Sequence, residues 1–216
     1  GADIVVHYHR SRPAAEALVA ELEATRPGSA MAACADLLDL DRLASLVEAA
    51  LARFGRLDVL VNNASTFYPT PIGDITPAQF EDLIGTNLRA PLFLSQAAAP
   101  ALRQSRGLIL NMVDIHARRP LQGHPVYCAA KAALAMLTKS LARELGPEVR
   151  VNGIAPGPVM WPERELDAAL KAEIIAKTAL KRRGSPDDVA RTVLFLAADA
   201  PYVTGQIIAV DGGRSL

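Results

Sequence analysis

The feature that most constrains the fold is an alternation of short apolar runs with longer segments whose apolar residues recur at helical spacing. Six runs predict strands, at residues 1–8, 29–37, 57–65, 107–114, 149–157 and 205–213. Six segments predict helices, at 12–26, 40–54, 76–103 (with a bend near Pro91), 126–146, 163–177 and 185–198. This alternation is typical of right-handed β–α–β units around a mostly parallel sheet. It predicts one α/β domain over residues 1–216.

Charge balance and cysteine content exclude several classes of protein. The 216 residues include 23 basic and 23 acidic side chains, which argues against nucleic acid or an anionic membrane as the main partner. No apolar run approaches the roughly 20 residues that a membrane helix needs. Cys34 and Cys128 are too few for a disulfide framework, and no residue cluster predicts a metal site. We expect a reducing, cytoplasmic setting, with Cys128 as a buried thiol.

Polar or turn-forming residues follow five of the predicted strands. They are Arg10, Asp36, Asn63, Asp114 and the pair Pro156-Gly157. In parallel α/β sheets, ligands bind beyond the carboxyl ends of the strands, where the strand order reverses. The sequence therefore predicts one ligand crevice lined from five strands.

The stretch from Asp114 to Lys131 carries the strongest chemical signal. Tyr127 and Lys131 are four residues apart in a predicted helix, so their polar ends share a face. An ammonium beside a phenol favours the phenolate, and we expect it to lower the pKa of Tyr127 and make it a proton donor near neutral pH. Two structural alternatives stay open: Asp114 as a turn cap, and the Tyr127/Lys131 pair as a solvated helix face.

Several motifs occur in a fixed order along the chain. They are Asp36, Asn62-Asn63-Ala64, Asn87, Tyr127-x-x-x-Lys131, Pro156-Gly157 and Asp211-Gly212-Gly213. The ordered set resembles the short-chain dehydrogenase/reductase family across the whole chain. The resemblance implies a Rossmann-like doubly wound parallel sheet, a nicotinamide cofactor and hydride transfer.

The resemblance also implies roles for individual residues. Tyr127 would donate or accept the proton, Lys131 would hold the nicotinamide ribose, and Asn87 would hold a water that links Lys131 to solvent. Asp36 would approach the adenine. Further cofactor contacts are expected from Leu37, Asn63, Ala64, Ser65, Pro156 and Gly157.

Two departures from the family pattern narrow the resemblance to its pteridine reductase branch. Asp114 replaces the usual serine, and Ser65 replaces the usual glycine after Asn-Asn-Ala. In that branch an aromatic residue at the Phe67 position stacks the pterin against the nicotinamide; the alternative is that Phe67 only packs its loop onto the domain. The expected substrate is a dihydropterin or a dihydrofolate-like molecule, with Trp161 either as a wall of the pocket or as a packing residue. The alternatives are a reductase of another carbonyl (3-oxoacyl, sugar or steroid) and an inactive fragment.

The residues after the first predicted strand bear on cofactor choice. An acidic residue there would bind the 2′-hydroxyl of NAD. His9, Arg10 and Ser11 stand there instead and offer charge-assisted hydrogen bonds to a 2′-phosphate. NADPH is therefore the expected cofactor, although a solvated basic turn is the alternative.

The family's opening strand and glycine-rich turn are not found in these residues. In the family that strand lies between the strands predicted here at 2–8 and 57–61, so we expect an N-terminally truncated sheet with two unpaired edges.

The resemblance also implies a homotetramer that pairs the helices at 76–103 and 126–146. The tail Arg214-Ser215-Leu216 is expected to reach a neighbouring subunit's site. His116 and His124 are expected to be exposed loop residues, and the alternative is that they line the pocket.

Overall fold

The computed structural model describes residues 1–161 and 167–216, in which strands and helices alternate as the sequence predicts. The strands are β1 (Ile4–Tyr8), β2 (Ala30–Cys34), β3 (Val59–Asn62), β4 (Leu108–Met112), β5 (Arg150–Pro156) and β6 (Ile207–Val210). The helices are α1 (Arg12–Thr25), α2 (Leu40–Phe54), α3 (Pro77–Ile84), α4 (Ala90–Ser105), α5 (Pro125–Leu145), α6 (Ala168–Ala176) and α7 (Pro186–Ala198). Residues 163–166 of the predicted helix at 163–177 lie outside the described residues.

Every strand pairing is parallel, which confirms the α/β class with parallel sheets. β1 pairs with β2, and a second sheet has the order β3-β4-β5-β6. Within the described ranges, β1 and β3 each have a single strand partner, so each has one unpaired edge. Ile4 and Val61 on these strands are both 39% exposed, more than is usual for apolar residues in a covered sheet. The two edges expected to be unpaired are therefore unpaired.

The centre of the four-stranded sheet is buried on both faces. Ile109 of β4 packs with Leu102 of α4 and Leu145 of α5, while its neighbour Leu110 packs with Leu196 of α7. Successive side chains of a strand point to opposite faces, so helices cover both sides of β4. This explains why the strand appears in the sequence as a continuous apolar run.

The predicted bend in the helix at 76–103 is a change of helix type. Residues Gly85–Arg89 form a π turn between α3 and α4, and Pro91 lies in the first turn of α4. Thr76 begins α3 with a capping box to Gln79. Gly85 packs closely against Leu38, since a Cβ there would lie 2.5 Å from a methyl carbon of that side chain and would displace it. The π turn is the element that carries Asn87.

None of the helices in the described part of the chain combines the length and the apolarity needed to cross a membrane.

A buried polar network fastens α5 to the sheet. The Asn111 side chain on β4 donates to the Thr138 hydroxyl at 2.9 Å and accepts from the Asn62 amide at 2.8 Å. Thr138 in turn donates to the Leu134 carbonyl at 2.8 Å. Thr138 and Asn111 are both fully buried. Removal of one member therefore leaves a buried polar group without a partner.

We expect Thr138→Val to lower the free energy of unfolding by about 1–3 kcal/mol, since it leaves the buried Asn111 amide without its acceptor. Thr192→Val is the matched control: Thr192 makes the same helical bond, to the Asp188 carbonyl at 3.2 Å, and no side chain in the described part of the chain hydrogen-bonds to it. We expect the control to change the free energy by less than about 0.5 kcal/mol. Urea denaturation measures both, and equal losses would contradict a special role for the network.

Candidate active site

Asp114 and Tyr127 meet directly at the carboxyl end of β4. The Tyr127 hydroxyl donates to Oδ2 of Asp114 at 2.8 Å, and the other carboxylate oxygen accepts from the backbone N–H of His116, also at 2.8 Å. Asp114 thereby caps the short 3₁₀ turn Ile115–Ala117 that leads away from the strand. Asp114 therefore caps this turn and contacts the Tyr127 hydroxyl at the same time, so its structural role does not rule out a chemical one.

Lys131 lies one helical turn after Tyr127 and is 2% exposed. Its ammonium donates to the Met112 carbonyl at 2.8 Å and lies 5.6 Å from the centroid of the Tyr127 ring. Burial lowers the pKa of Lys131 to about 8, and the charge of Asp114 opposes that shift. An ammonium has three N–H donors, so two remain for further acceptors. The Tyr127/Lys131 pair is therefore part of the buried structure and not a solvated helix face.

The expected lowering of the pKa of Tyr127 is wrong for this structure. Burial raises the pKa well above its usual value, the Asp114 charge and hydrogen bond add to the rise, and only Ser65 opposes it. The prediction placed the ammonium at the phenol oxygen, whereas the Lys131 ammonium bonds to a main-chain carbonyl. Tyr127 therefore carries its proton at neutral pH, but the raised pKa makes the phenol a weaker acid than an exposed tyrosine.

Ser65 and Asn87 form a second hydrogen-bonded group beside Tyr127. The Ser65 hydroxyl donates to Oδ1 of Asn87 at 2.6 Å. The Asn87 amide donates to the carbonyls of Leu83 at 2.9 Å and Thr66 at 3.0 Å. Asn87 thus fixes the loop that follows β3 against the π turn. Its expected role of holding a water stays a prediction.

Phe67 provides a flat surface next to the phenol. Its ring stacks on His124 with a centroid distance of 4.8 Å and an interplanar angle of 10°, and meets Tyr127 edge-on at 4.8 Å and 75°. Phe67 is 46% exposed, whereas His124 is only 7% exposed. The expectation that His124 is an exposed loop residue is therefore wrong. Its position three residues before Tyr127, where the helix begins, was the signal that could have identified it.

Two hydrogen bonds hold the loop that carries Phe67, and both are made by residues that follow Phe67 in the chain. The Tyr68 hydroxyl donates to Asp82 of α3 at 2.8 Å, and burial, together with this contact, raises the pKa of Tyr68 to about 12. The Thr70 N–H donates to the Gly123 carbonyl at 2.7 Å. The loop after β3 is therefore connected to α3 and to the turn before α5, and both contacts fix where Phe67 lies.

The residues predicted to select the cofactor lie at the carboxyl ends of β1 and β2. The Nε2 atom of His9 lies 3.7 Å from a carboxylate oxygen of Asp36, and Asp36 also accepts from the Leu38 N–H at 2.9 Å. Arg10 is exposed and has no carboxylate within 4.0 Å among the described residues. Ser11 begins α1 without a side-chain cap bond. An unpaired guanidinium and a free hydroxyl at this strand end fit a phosphate group.

The other residues predicted to contact the cofactor differ in how far their side chains are exposed. The Leu37 side chain is buried against Leu43 and Leu94, so only its main chain could contact a ligand. Asn63 and Ala64 are exposed after β3, which leaves both accessible. The pair Pro156-Gly157 ends β5, and a Cβ at Gly157 would lie 2.7 Å from the Cβ of Asp211. Gly157 is thus required by the close approach of the Asp211-Gly212-Gly213 turn. Gly157 and this turn line a cavity of about 540 Å³.

Two further residues occupy structural positions. The Trp161 ring lies under the guanidinium of Arg183, 5.6 Å from it, so its part in a substrate wall stays a prediction. Cys128 is buried, and its sulfur accepts from the Leu121 N–H at 3.3 Å. This agrees with a packing thiol.

Comparison with known proteins places the whole chain in a well-populated group of reductases. A family model described as enoyl-(acyl carrier protein) reductase matches residues 1–215. Pteridine reductase 1 of Leishmania tarentolae is 37% identical, over 100% of this chain and 89% of the relative. A 3-oxoacyl-acyl-carrier-protein reductase of Staphylococcus aureus is also 37% identical, over 99% of this chain and 88% of the relative. An uncharacterized oxidoreductase of Methylorubrum extorquens is 36% identical with the same coverage.

The buried ammonium predicts a pH dependence of stability. The pKa of Lys131 is about 8 in the folded protein against an ordinary value of 10.5, so between these values the unfolded chain binds the extra proton. Stability should therefore rise with pH from about 8 to 10, by about 2–3 kcal/mol. Above pH 10 the raised pKa of Tyr127 acts in the opposite direction. Urea denaturation between pH 7.5 and 10 measures this rise.

Lys131→Met is the control for that measurement, because it removes the titrating group at nearly constant length. We expect the variant to lack the rise in stability between pH 8 and 10. A rise of equal size in both proteins would mean that the ammonium is not buried as the structure shows.

Proposed function

The chain belongs to the short-chain dehydrogenase/reductase family, and from this we propose that it catalyses the NADPH-dependent reduction of a pterin, either a dihydropterin or a dihydrofolate-like molecule. The observation that carries the proposal is the 2.8 Å hydrogen bond from Tyr127 to the Asp114 carboxylate. Family membership accounts for Tyr127 and Lys131 in an oxidoreductase. The carboxylate, where the family usually has serine, is what directs the proposal towards a pterin.

Reduction of a C=N bond requires a hydride on carbon and a proton on nitrogen. A nicotinamide cofactor supplies the hydride when it is bound. Tyr127 supplies the proton: the phenol carries it at neutral pH, and release against the raised pKa requires that the charge left on the phenol oxygen be stabilised. The Lys131 ammonium, 5.6 Å from the phenol ring, stabilises the negative charge that then develops on Tyr127.

Asp114 can return the proton to Tyr127. A carboxyl group takes up a proton near neutral pH far more readily than a serine hydroxyl, and Asp114 is only partly buried, so it can exchange with solvent. Asp114 also lines a cavity of about 260 Å³ together with Arg118 and Ser215, which leaves space next to the carboxylate. We propose the path solvent, Asp114, Tyr127, substrate nitrogen.

The aromatic surface supports a planar substrate. Phe67 is nearly half exposed beside Tyr127, and each stacked ring pair contributes about 0.5–1.5 kcal/mol beyond burial. A flexible 3-oxoacyl chain gains no such stacking. The surface therefore favours a ring system over an acyl chain.

A 3-oxoacyl reductase is the second candidate. The relative from Staphylococcus aureus that bears this name is as similar as the pteridine reductase, at 37% identity. Reduction of a ketone needs Tyr127 and Lys131 and makes no demand on a carboxylate at position 114. The two candidates therefore differ in what Asp114 contributes.

We also propose a homotetramer formed through α4 and α5. Each of these helices exposes a large apolar side chain, Phe93 on α4 and Met136 on α5. Burial of such residues against a second copy would remove apolar surface from water.

The substrate is tested by NADPH oxidation with dihydrobiopterin, dihydrofolate and a 3-oxoacyl thioester. We expect turnover on the pterins, and we expect Asp114→Ser to lower kcat/KM for them at least tenfold with little change in the Kd for NADPH. Tyr127→Phe is the reference that should abolish all turnover and keep cofactor binding. Turnover on the thioester alone, or an Asp114→Ser enzyme with full pterin activity, would show that the proposal is wrong.

Cofactor choice is tested by Arg10→Asp. The exposed guanidinium is replaced by a carboxylate that repels a 2′-phosphate and can accept from a 2′-hydroxyl, so the ratio of kcat/KM for NADPH to that for NADH should fall at least tenfold. Arg103→Asp, in the last turn of α4, makes the same charge change away from this strand end and should leave the ratio unchanged. Equal shifts in both variants would indicate only a general charge effect.

A further inference from the structure

His124 has a buried ring nitrogen without a partner, close to the catalytic phenol. The Nδ1 atom lies 2.9 Å from the carbonyl oxygen of Gln122. A carbonyl oxygen only accepts hydrogen bonds, so in the neutral ring Nδ1 carries the proton. The other nitrogen, Nε2, is therefore an acceptor with an open lone pair.

The open acceptor is buried. Nε2 has no hydrogen-bond partner in the described part of the chain, and the residue is 7% exposed. A buried polar atom without a partner destabilises the protein, so its presence calls for a physical reason. A donor supplied by a bound ligand is such a reason, because it would remove the cost.

The surroundings of His124 place it at the substrate side of Tyr127. Phe67 covers the imidazole at 4.8 Å in a nearly parallel stack and meets the Tyr127 ring with its edge at the same distance. The imidazole and the phenol are thus neighbours under one exposed aromatic side chain. Nearly half of the Phe67 surface is in water, so its side chain has open space into which to rotate, with the loss of its two ring contacts.

We propose that His124 determines substrate specificity by accepting a hydrogen bond at Nε2 from an N–H group of a planar nitrogen heterocycle. Phe67 moves from the imidazole onto the substrate ring when the substrate binds. The inference rests on the proposed pterin reductase function and deepens it, because the amino and lactam N–H groups of a pterin are such donors. A 3-oxoacyl thioester has no N–H beside its reacting ketone, so this acceptor discriminates against it.

A pair of variants isolates the acceptor. His124→Phe keeps a flat ring under Phe67 and removes both nitrogens, whereas His124→Gln places an amide oxygen close to the position of Nε2. Both variants lose the bond to Gln122, and only His124→Gln offers an acceptor near Nε2. Because His124→Gln also loses the ring under Phe67, recovery of KM in that variant reports on the acceptor and not on the stack. We expect His124→Phe to raise the KM for dihydrobiopterin about three- to tenfold, with kcat changed less than twofold. His124→Gln should recover most of the wild-type KM, and the Kd for NADPH should stay the same in both.

The wild-type protein gives a second measurement that needs no variant. The ¹⁵N resonance of an unprotonated Nε2 should be visible in the protein with NADP⁺ and should move when dihydrobiopterin is added. An unchanged resonance, an unchanged KM in His124→Phe, or equal losses in the two variants would overturn the inference.

Failure of the proposed function gives a different pattern. If the wild-type protein binds dihydrobiopterin without reducing it, the proposed function is wrong, and the Kd values of the two variants still decide the role of His124 in the same directions. If the wild-type protein neither binds nor reduces any pterin, both proposals are overturned.

Discussion

The site depends on three polar contacts by which the end of β4 holds α5. Asn111 donates to Thr138, the Met112 carbonyl accepts from Lys131, and the Asp114 carboxylate accepts from Tyr127. The three helical residues are spaced i, i+4 and i+11, so they lie along one face of the helix. A rotation of α5 by one residue would break all three contacts at once. The Tyr127–Asp114 contact, which the proposed reaction uses, is thus held in place by the Lys131–Met112 and Thr138–Asn111 contacts.

The fold and the pairing of site residues could be predicted because they follow from local periodicity. α2 begins at Leu40 and ends at Phe54, where the pattern placed it, and the four-residue spacing put Tyr127 and Lys131 on one helix face. The contact between Asp114 and Tyr127 could be expected only from the family resemblance, since it crosses from a strand to a helix. The π turn at Gly85–Arg89 was missed because it lies within a continuous helical pattern, in which Pro91 indicated a bend but not a change of helix type.

Electrostatics and burial were harder to predict because they depend on where a flexible side chain ends. Lys131 could reach the phenol oxygen or the Met112 carbonyl, and its position in the sequence does not decide between them. The structure selects the carbonyl, so the pKa of Tyr127 rises through burial and Asp114 while that of Lys131 falls. His124 is buried for a similar reason: the Thr70–Gly123 contact brings a distant loop over it. A sequence motif identifies these side chains, but their pKa values depend on how they pack in the folded protein.

Overall similarity does not choose between a pterin and a 3-oxoacyl substrate, since relatives named for each are 37% identical to this chain. Identity averaged over the chain mostly reflects the shared sheet and its helices, which both activities need. The choice rests on the few side chains that surround Tyr127. The unpaired Nε2 of His124 is costly in a buried position unless a ligand with a nitrogen-bound proton meets it, and a ketone offers no such proton. The pterin proposal therefore depends on the Asp114 carboxylate as a proton relay and on His124 as an acceptor.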